Sequence, residues 1–157
     1  MAEPPSIPIR NATRDDIDCM FDIERAAGGA SHWARSDYER VFEPTAPKRI
    51  AIVAGNPAQG FLVARIVDRD WEIENLAVAE TARRRGLGRA LLSELLQRAG
   101  DNGAESVTLE VRTSNHAARR LYESGGFREI AVRRAYYQDP EENAVIYRAV
   151  PAAAPKS

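Results

Sequence analysis

The sequence is short of the groups that build metal centres and covalent frameworks. Cysteine occurs once, at Cys19, and histidine twice, at His32 and His116, in a chain of 157 residues. A single cysteine excludes a disulfide framework within the chain and suits a reducing compartment, so a cytoplasmic location is expected. In its helix-like apolar pattern Cys19 reads as a small buried side chain rather than a nucleophile. The two histidines show no metal-ligand spacing with each other or with cysteine or carboxylates, and no metal is expected. Neither sign of charge dominates: 22 Lys and Arg stand against 23 Asp and Glu, a formal net charge of -1. That balance argues against a dedicated nucleic-acid binder. No apolar run reaches the roughly 20 residues of a membrane span, and MAEPPSIPIR has no apolar core of signal-peptide length. No membrane association is expected.

What is present is ordinary for a globular protein: 44% apolar and 29% charged residues, in a length that suits one domain over residues 1–157. The Pro-, Ala- and Ser-rich ends, 1–6 and 151–157, are expected to be flexible tails. Ile7 to Arg10 reads as a short strand. Thr13 is the N-cap of a helix with Asp15 and Asp16 in its first turn. Ile17, Met20, Phe21 and Glu24 carry its period, and Gly28 and Gly29 end it. Ser36 with Glu39 reads as the capping box of a short second helix through Phe42. Three strands follow: Arg49 to Ala54, Gln59 to Val67 and Trp71 to Val78. Leu91, Leu92, Leu95, Leu96 and Ala99 give the next helix, from about Gly88 to Ala99, a broad apolar stripe. Ser106 to Val111 is a strand and His116 to Glu123 a helix. Phe127 to Arg134 and Asn143 to Ala149 pair as a hairpin. This order predicts a mixed α/β fold: a mostly antiparallel sheet with helices covering both faces.

The informative stretch is RRRGLG, Arg83 to Gly88, between a strand and an apolar helix. It lacks the lysine of a Walker loop, and Leu91 stands where a dinucleotide fingerprint needs its third glycine. A helix start presents free backbone N–H groups, and glycines let a ligand approach them closely. Arg83, Arg84, Arg85 and Arg89 add charge-assisted donors. A pyrophosphate suits this construction. The competing reading is an exposed basic turn before a core helix.

RRRGLG resembles the Q/R-x-x-G-x-G/A acetyl-CoA signature of the GNAT N-acetyltransferases, and the likeness runs from about Ile7 to Val150. The resemblance implies a GNAT fold with splayed strands at a cofactor cleft. It also implies acetyl-CoA as cosubstrate. Leu76, Ala77 and Val78 would offer backbone hydrogen bonds to its pantetheine arm. Arg84, Arg85, Gly86, Leu87, Gly88 and Arg89 would hold the pyrophosphate, with Arg83 at the motif's first position. LEVRTSNHAARRLYESGGF, Leu109 to Phe127, looks like the LEVRxSNxxAxxLYxxxGF signature of ribosomal-protein alanine N-acetyltransferases of the RimI type. Val132 to Tyr147 resembles the hairpin of that subfamily. Ile23 to Trp33 is similar to its substrate-side loop, with Ser31 and His32 where members carry Phe-Pro before the tryptophan.

The resemblance gives roles to residues that also have plainer readings. Glu110, otherwise a solvent-facing strand residue, would be the general base. Tyr122, otherwise a core aromatic with its hydroxyl at the rim, would protonate the leaving thiolate. A phenol titrating near about 10 suits that task. Asn115 would hydrogen-bond the cofactor and also cap a helix. The backbone N–H of Val78 would polarise the carbonyl. Trp33, Tyr136 and Tyr137 would line the acceptor groove. Arg119 and Arg120 read as a solvated helix face within reach of the adenosine 3′-phosphate.

The implied activity is acetyl transfer by direct attack in a ternary complex. The acceptor would be a protein N-terminal α-amine, the terminal alanine of a small-subunit ribosomal protein. An α-amino group titrates near about 7.7–8 and lysine near about 10.4, so one carboxylate base favours the former at neutral pH. A small-molecule amine or a protein lysine is the alternative acceptor, and a non-catalytic acyl-CoA-binding module the alternative class. An RNA-binding module would rest only on Arg83–Arg85 and Arg133–Arg134, so direct nucleic-acid binding is not expected. The expected assembly is a monomer or weak dimer.

Overall fold

The computed structural model describes residues 7–27, 33–45 and 47–152. The expected helix end at Gly28–Gly29, the Ser31–His32 pair and most of both tails lie outside the described residues.

The strands are β1 (Ile9–Asn11), β2 (Arg49–Ala54), β3 (Gly60–Val67), β4 (Asp70–Val78), β5 (Ser106–Arg112), β6 (Arg128–Tyr137) and β7 (Glu142–Ala149). The helices are α1 (Ile17–Ala27), α2 (Arg35–Val41), α3 (Leu87–Asp101) and α4 (His116–Ser124). The strands form one seven-stranded sheet in the order β1-β2-β3-β4-β5-β7-β6. Every neighbouring pair is antiparallel except β4 and β5.

Side-chain alternation divides the core between the two faces. Ile52, Leu62 and Ala64 point to one face and pack with Leu91, Leu92 and Leu95 of α3. Val53, Phe61 and Val63 point to the other and pack with Met20 and Ile23 of α1 and Tyr38 of α2. Fully burying one such side chain contributes about 1.5–3 kcal/mol. Both layers therefore depend on the regular alternation of β2 and β3.

Strand β4 breaks that alternation once. Ala64 pairs with Ile73 and Val63 with Asn75, so Glu74 is an extra residue, a β-bulge. Trp71 and Ile73 face the α3 layer before the bulge, and Leu76 and Val78 face it afterwards. The carboxylate of Glu74 accepts a hydrogen bond from Arg49 Nε at 2.6 Å. Bulges increase local twist, and here the neighbouring strands separate. β4 and β5 share rungs only from Asp70–Ser106 to Glu72–Thr108. Beyond them the strands diverge around a gap.

The start of α2 corrects the sequence reading. The helix begins at Arg35, and its cap uses Asp37 instead of Ser36 and Glu39: the Ala34 N–H donates to Asp37 Oδ2 at 2.8 Å. Three residues beyond the N-cap is where a carboxylate reaches back to the free N–H. Asp37 holds that place once the helix starts at Arg35. The helix also ends at Val41, one residue short of the expected Phe42.

Candidate active site

The gap between β4 and β5 opens into a cleft of about 580 Å³. It passes through the sheet. Leu87, Gly88, Ala118, Leu121 and Tyr122 border it from the α3–α4 layer, and Glu24 and Ala27 border it from α1 on the opposite face.

The β4 wall presents peptide groups. Ala79 N–H donates to Gln59 O on the β3 side at 2.8 Å. Peptide groups alternate along an antiparallel strand. Val78 and Leu76, opposite Gly60 and Leu62, therefore direct their N–H groups into the gap. The peptide of Ala77 turns towards β3 and Phe61, and its side chain borders the cleft.

The loop after β4 forms one mouth of the cleft. Gly86 is the N-cap of α3 in the left-handed conformation, φ 75° and ψ 16°. A Cβ there would meet nothing within 4 Å, so the glycine serves the backbone turn. Arg84 is also left-handed at φ 66°, a strain of about 1–3 kcal/mol of the kind concentrated at functional sites. Gly88 serves packing instead: a Cβ would lie 3.0 Å from Leu121 Cδ2 of α4. The first α3 N–H to find a carbonyl is that of Ala90, to Gly86 O at 2.9 Å. Those of Leu87, Gly88 and Arg89 are left for a ligand. Arg83, Arg84 and Arg89 line the cleft with Gly86 and Leu87, whereas Arg85 does not. Among the described residues none of these four arginines is in an ion pair. Free amides, a helix start and unpaired guanidinium groups together fit a pyrophosphate.

The opposite wall carries the titratable groups. Leu109 and Val111 are buried on one face of β5, and Glu110 alternates with them into the cleft. Its Oε1 accepts from Arg133 Nη1 at 3.0 Å, with 22% of the glutamate side chain exposed. Tyr122 packs in the α4 layer with its ring 6.1 Å from Phe127 and 6.0 Å from Tyr147. Burial, and secondarily Tyr137, pushes its phenol up to about 12. This lies above the value of about 10 for a free phenol. Asn115 borders the cleft and caps α4, its Oδ1 accepting from Ala118 N–H at 3.2 Å.

The remaining sequence candidates lie outside the cleft wall. Tyr136 and Tyr137 meet edge to face at 5.0 Å. Arg133 sits over the first ring at 4.6 Å and Arg112 over the second at 4.5 Å. They flank Glu110, whose polar contact raises the Tyr136 phenol. Trp33 packs on Tyr38 with ring centroids 5.1 Å apart. Arg119 is not a solvated residue: its Nε donates to Tyr147 Oη at 3.0 Å and its Nη1 to Thr113 O at 2.9 Å. Glu24 and Asn75 escaped the sequence reading. Glu24 follows the period of Ile17 and Met20 but shows no role there, and the bulge that orients Asn75 has no sequence signature of its own. Among the described residues no group of three or more His, Cys, Asp or Glu could hold a metal ion. Among them, too, no helix is long and apolar enough to cross a membrane.

The buried phenols carry a consequence for stability. Burial, and then the Glu110 charge, also pushes Tyr137 up to about 12, against about 10 in an unfolded chain. A raised folded-state value stabilises fully below about pH 10 and is lost as pH rises through about 12. Unfolding free energy measured in denaturant is expected to fall over that window. In Tyr122→Phe the fall should be shallower; an equally steep fall would show that Tyr122 is not among its sources.

Comparison with known proteins agrees with this geometry. The profile of the Acetyltransferase (GNAT) family matches residues 14–127. The [ribosomal protein bS18]-alanine N-acetyltransferase of Escherichia coli is 35% identical over 136 residues, 83% of this chain and 88% of that protein. An N-alpha-acetyltransferase of Sulfurisphaera tokodaii is 35% identical over 150 residues, 85% of this chain and 87% of its own. The crystal structure of the Escherichia coli ribosomal-protein-S18-alanine N-acetyltransferase superposes with a TM-score of 0.81 at 30% identity, covering 96% of this chain and 97% of that one. A strand order interrupted at one parallel pair, a cleft through that interruption and a family match over most of the chain lead to one conclusion: the chain belongs to the GNAT family and is an acetyl-CoA-dependent N-acetyltransferase.

Proposed function

We propose that the protein acetylates the α-amine of a protein N-terminus, the terminal alanine of a small-subunit ribosomal protein, in the cytoplasm. The observation that carries the reading is the passage through the sheet with Glu110 and Tyr122 on its wall. The names and identities of the relatives support the acceptor.

Bound acetyl-CoA supplies the acetyl group as a thioester. The α3 amides with Arg83, Arg84 and Arg89 hold its pyrophosphate at one mouth of the cleft, and Arg85 adds positive charge nearby. The gap-facing N–H groups of Leu76 and Val78 and the carboxamide of Asn115 bind the arm that enters. Trp33, Tyr136 and Tyr137 belong to the acceptor side. Glu110 takes the proton that the acceptor ammonium must lose before its nitrogen can attack the carbonyl carbon. Val78 N–H donates to the carbonyl oxygen as charge develops there. Tyr122 would donate to the sulfur as the carbon–sulfur bond breaks, and the second proton lost by the attacking nitrogen leaves with the thiolate as the CoA thiol. With its phenol near 12, it holds its proton throughout the neutral range and stabilises the departing thiolate first as a hydrogen-bond donor. No side chain needs to carry the acetyl group.

The acceptor is tested by intact-mass measurement. An alanine-starting ribosomal peptide incubated with acetyl-CoA and enzyme is expected to gain one acetyl group, while polyamines and aminoglycosides release no CoA. CoA release with the small amines alone would overturn the assignment.

A further inference from the structure

Glu24 is a carboxylate placed where a helix facing a sheet ordinarily carries an apolar side chain. Only 5% of its surface is exposed. Oε1 accepts hydrogen bonds from Tyr38 Oη at 2.8 Å, the Trp33 backbone N–H at 3.0 Å and Asn75 Nδ2 at 3.3 Å. Oε2 has no partner among the described residues, and the residue borders the cleft. No Lys, Arg or His forms an ion pair with Glu24 among those residues. A buried charge requires a counter-charge or a full set of donors. Here one oxygen is saturated and the other is open to the cavity.

The position of Glu24 indicates what the open oxygen meets. The arginines and the α3 start lie at the α3–α4 face. Glu24 lies on α1, at the opposite end of the passage, where a second substrate reaches the gap. We propose that Glu24 Oε2 receives the α-ammonium of the incoming N-terminus and thereby selects a cationic amine before Glu110 removes its proton. Glu24 is then an acceptor-recognition residue, separate from the base. Oε1 and its three donors hold the carboxylate in place, and the desolvated site strengthens the pairing. The inference rests on the acceptor reading above.

The test measures binding of two peptides of one alanine-starting sequence to the CoA-bound protein by calorimetry. One has a free amino terminus and the other is acetylated. The wild type is expected to prefer the free amine roughly tenfold, the size of one charge-assisted hydrogen bond. In Glu24→Gln the amide oxygen can still accept from the three donors, but the open carboxylate oxygen is gone. The preference should collapse to near unity, with affinity for the acetylated peptide, acetyl-CoA binding and Tm unchanged. Tyr38→Phe removes one donor and leaves the carboxylate, so it should keep the preference. Equal weakening of both peptides by Glu24→Gln, or a preference that survives it, overturns the proposal and leaves Glu24 as a brace for the start of α2. Acetylation of the peptide by a wild type that shows no preference overturns the Glu24 role alone. A wild type that leaves the peptide amine unmodified overturns the acceptor assignment, and the Glu24 role with it.

Discussion

Glu110→Gln and Tyr122→Phe are each expected to lower kcat by about 10²–10⁴-fold, the usual contribution of a positioned acid or base, while acetyl-CoA binds as in the wild type. Both side chains border the gap, whereas the arginines and free amides sit at the start of α3. The proposed pyrophosphate seat is therefore separate in position from the proposed base and acid. Neither change should unfold the protein. Glutamine keeps the shape of Glu110, and the ion pair it removes is solvent-screened, with 54% of the Arg133 side chain exposed; such pairs contribute about 0–1 kcal/mol. Phenylalanine keeps the ring that packs against Phe127 and Tyr147. Steady-state turnover with calorimetry of acetyl-CoA provides the check. Wild-type turnover in both variants would remove Glu110 and Tyr122 from the mechanism, and loss of acetyl-CoA binding would assign them to the cofactor site instead.

Val78→Pro is expected to lower kcat by about 10²–10³-fold, the effect of removing one donor from a developing oxyanion, with little change in Tm. Proline deletes the N–H that points into the gap. Val78 stands opposite Gly60 as a non-hydrogen-bonded pair, so no rung of the β3–β4 ladder is lost. Proline is tolerated in strands where its missing donor faces away from the neighbour. Ala77→Pro is the informative counterpart, because it removes a donor that faces Phe61 on β3. It should lower Tm clearly, by differential scanning calorimetry. Equal Tm losses in the two variants would contradict the alternation assigned to β4, and unchanged turnover in Val78→Pro would remove its N–H from the reaction.

Local chemistry made much of this fold legible. Arg49 to Ala54 is a strand with the expected bounds, because β-branched and apolar residues run between a Pro-rich segment and a Gly-Asn-Pro turn. The stripe of Leu91, Leu92 and Leu95 predicted both the helix and its buried face. RRRGLG marked the turn into α3, where Gly86 takes the left-handed conformation. The remainder depended on contacts between distant segments. Asp37 and Glu39 are equally able caps until the chain fixes where α2 starts. The sequence put the Tyr122 ring in the core but left its hydroxyl at the rim, where burial instead moves the phenol. Glu24 becomes unusual only when Tyr38, Asn75 and Trp33 converge on it.

The bulge at Glu74 has one more consequence, best seen by imagining the residue absent. Ile73 would precede Asn75 directly, and the pairings of both with β3 would stand. Every other side chain of β4 would keep its present face, so neither apolar layer would lose a contact. What would go is the divergence, leaving β4 free to run on beside β5 as an uninterrupted ladder. Glu74 is in this sense a removable spacer: a sheet selected for regularity alone would dispense with it, and the protein would gain a continuous sheet and lose its place to work.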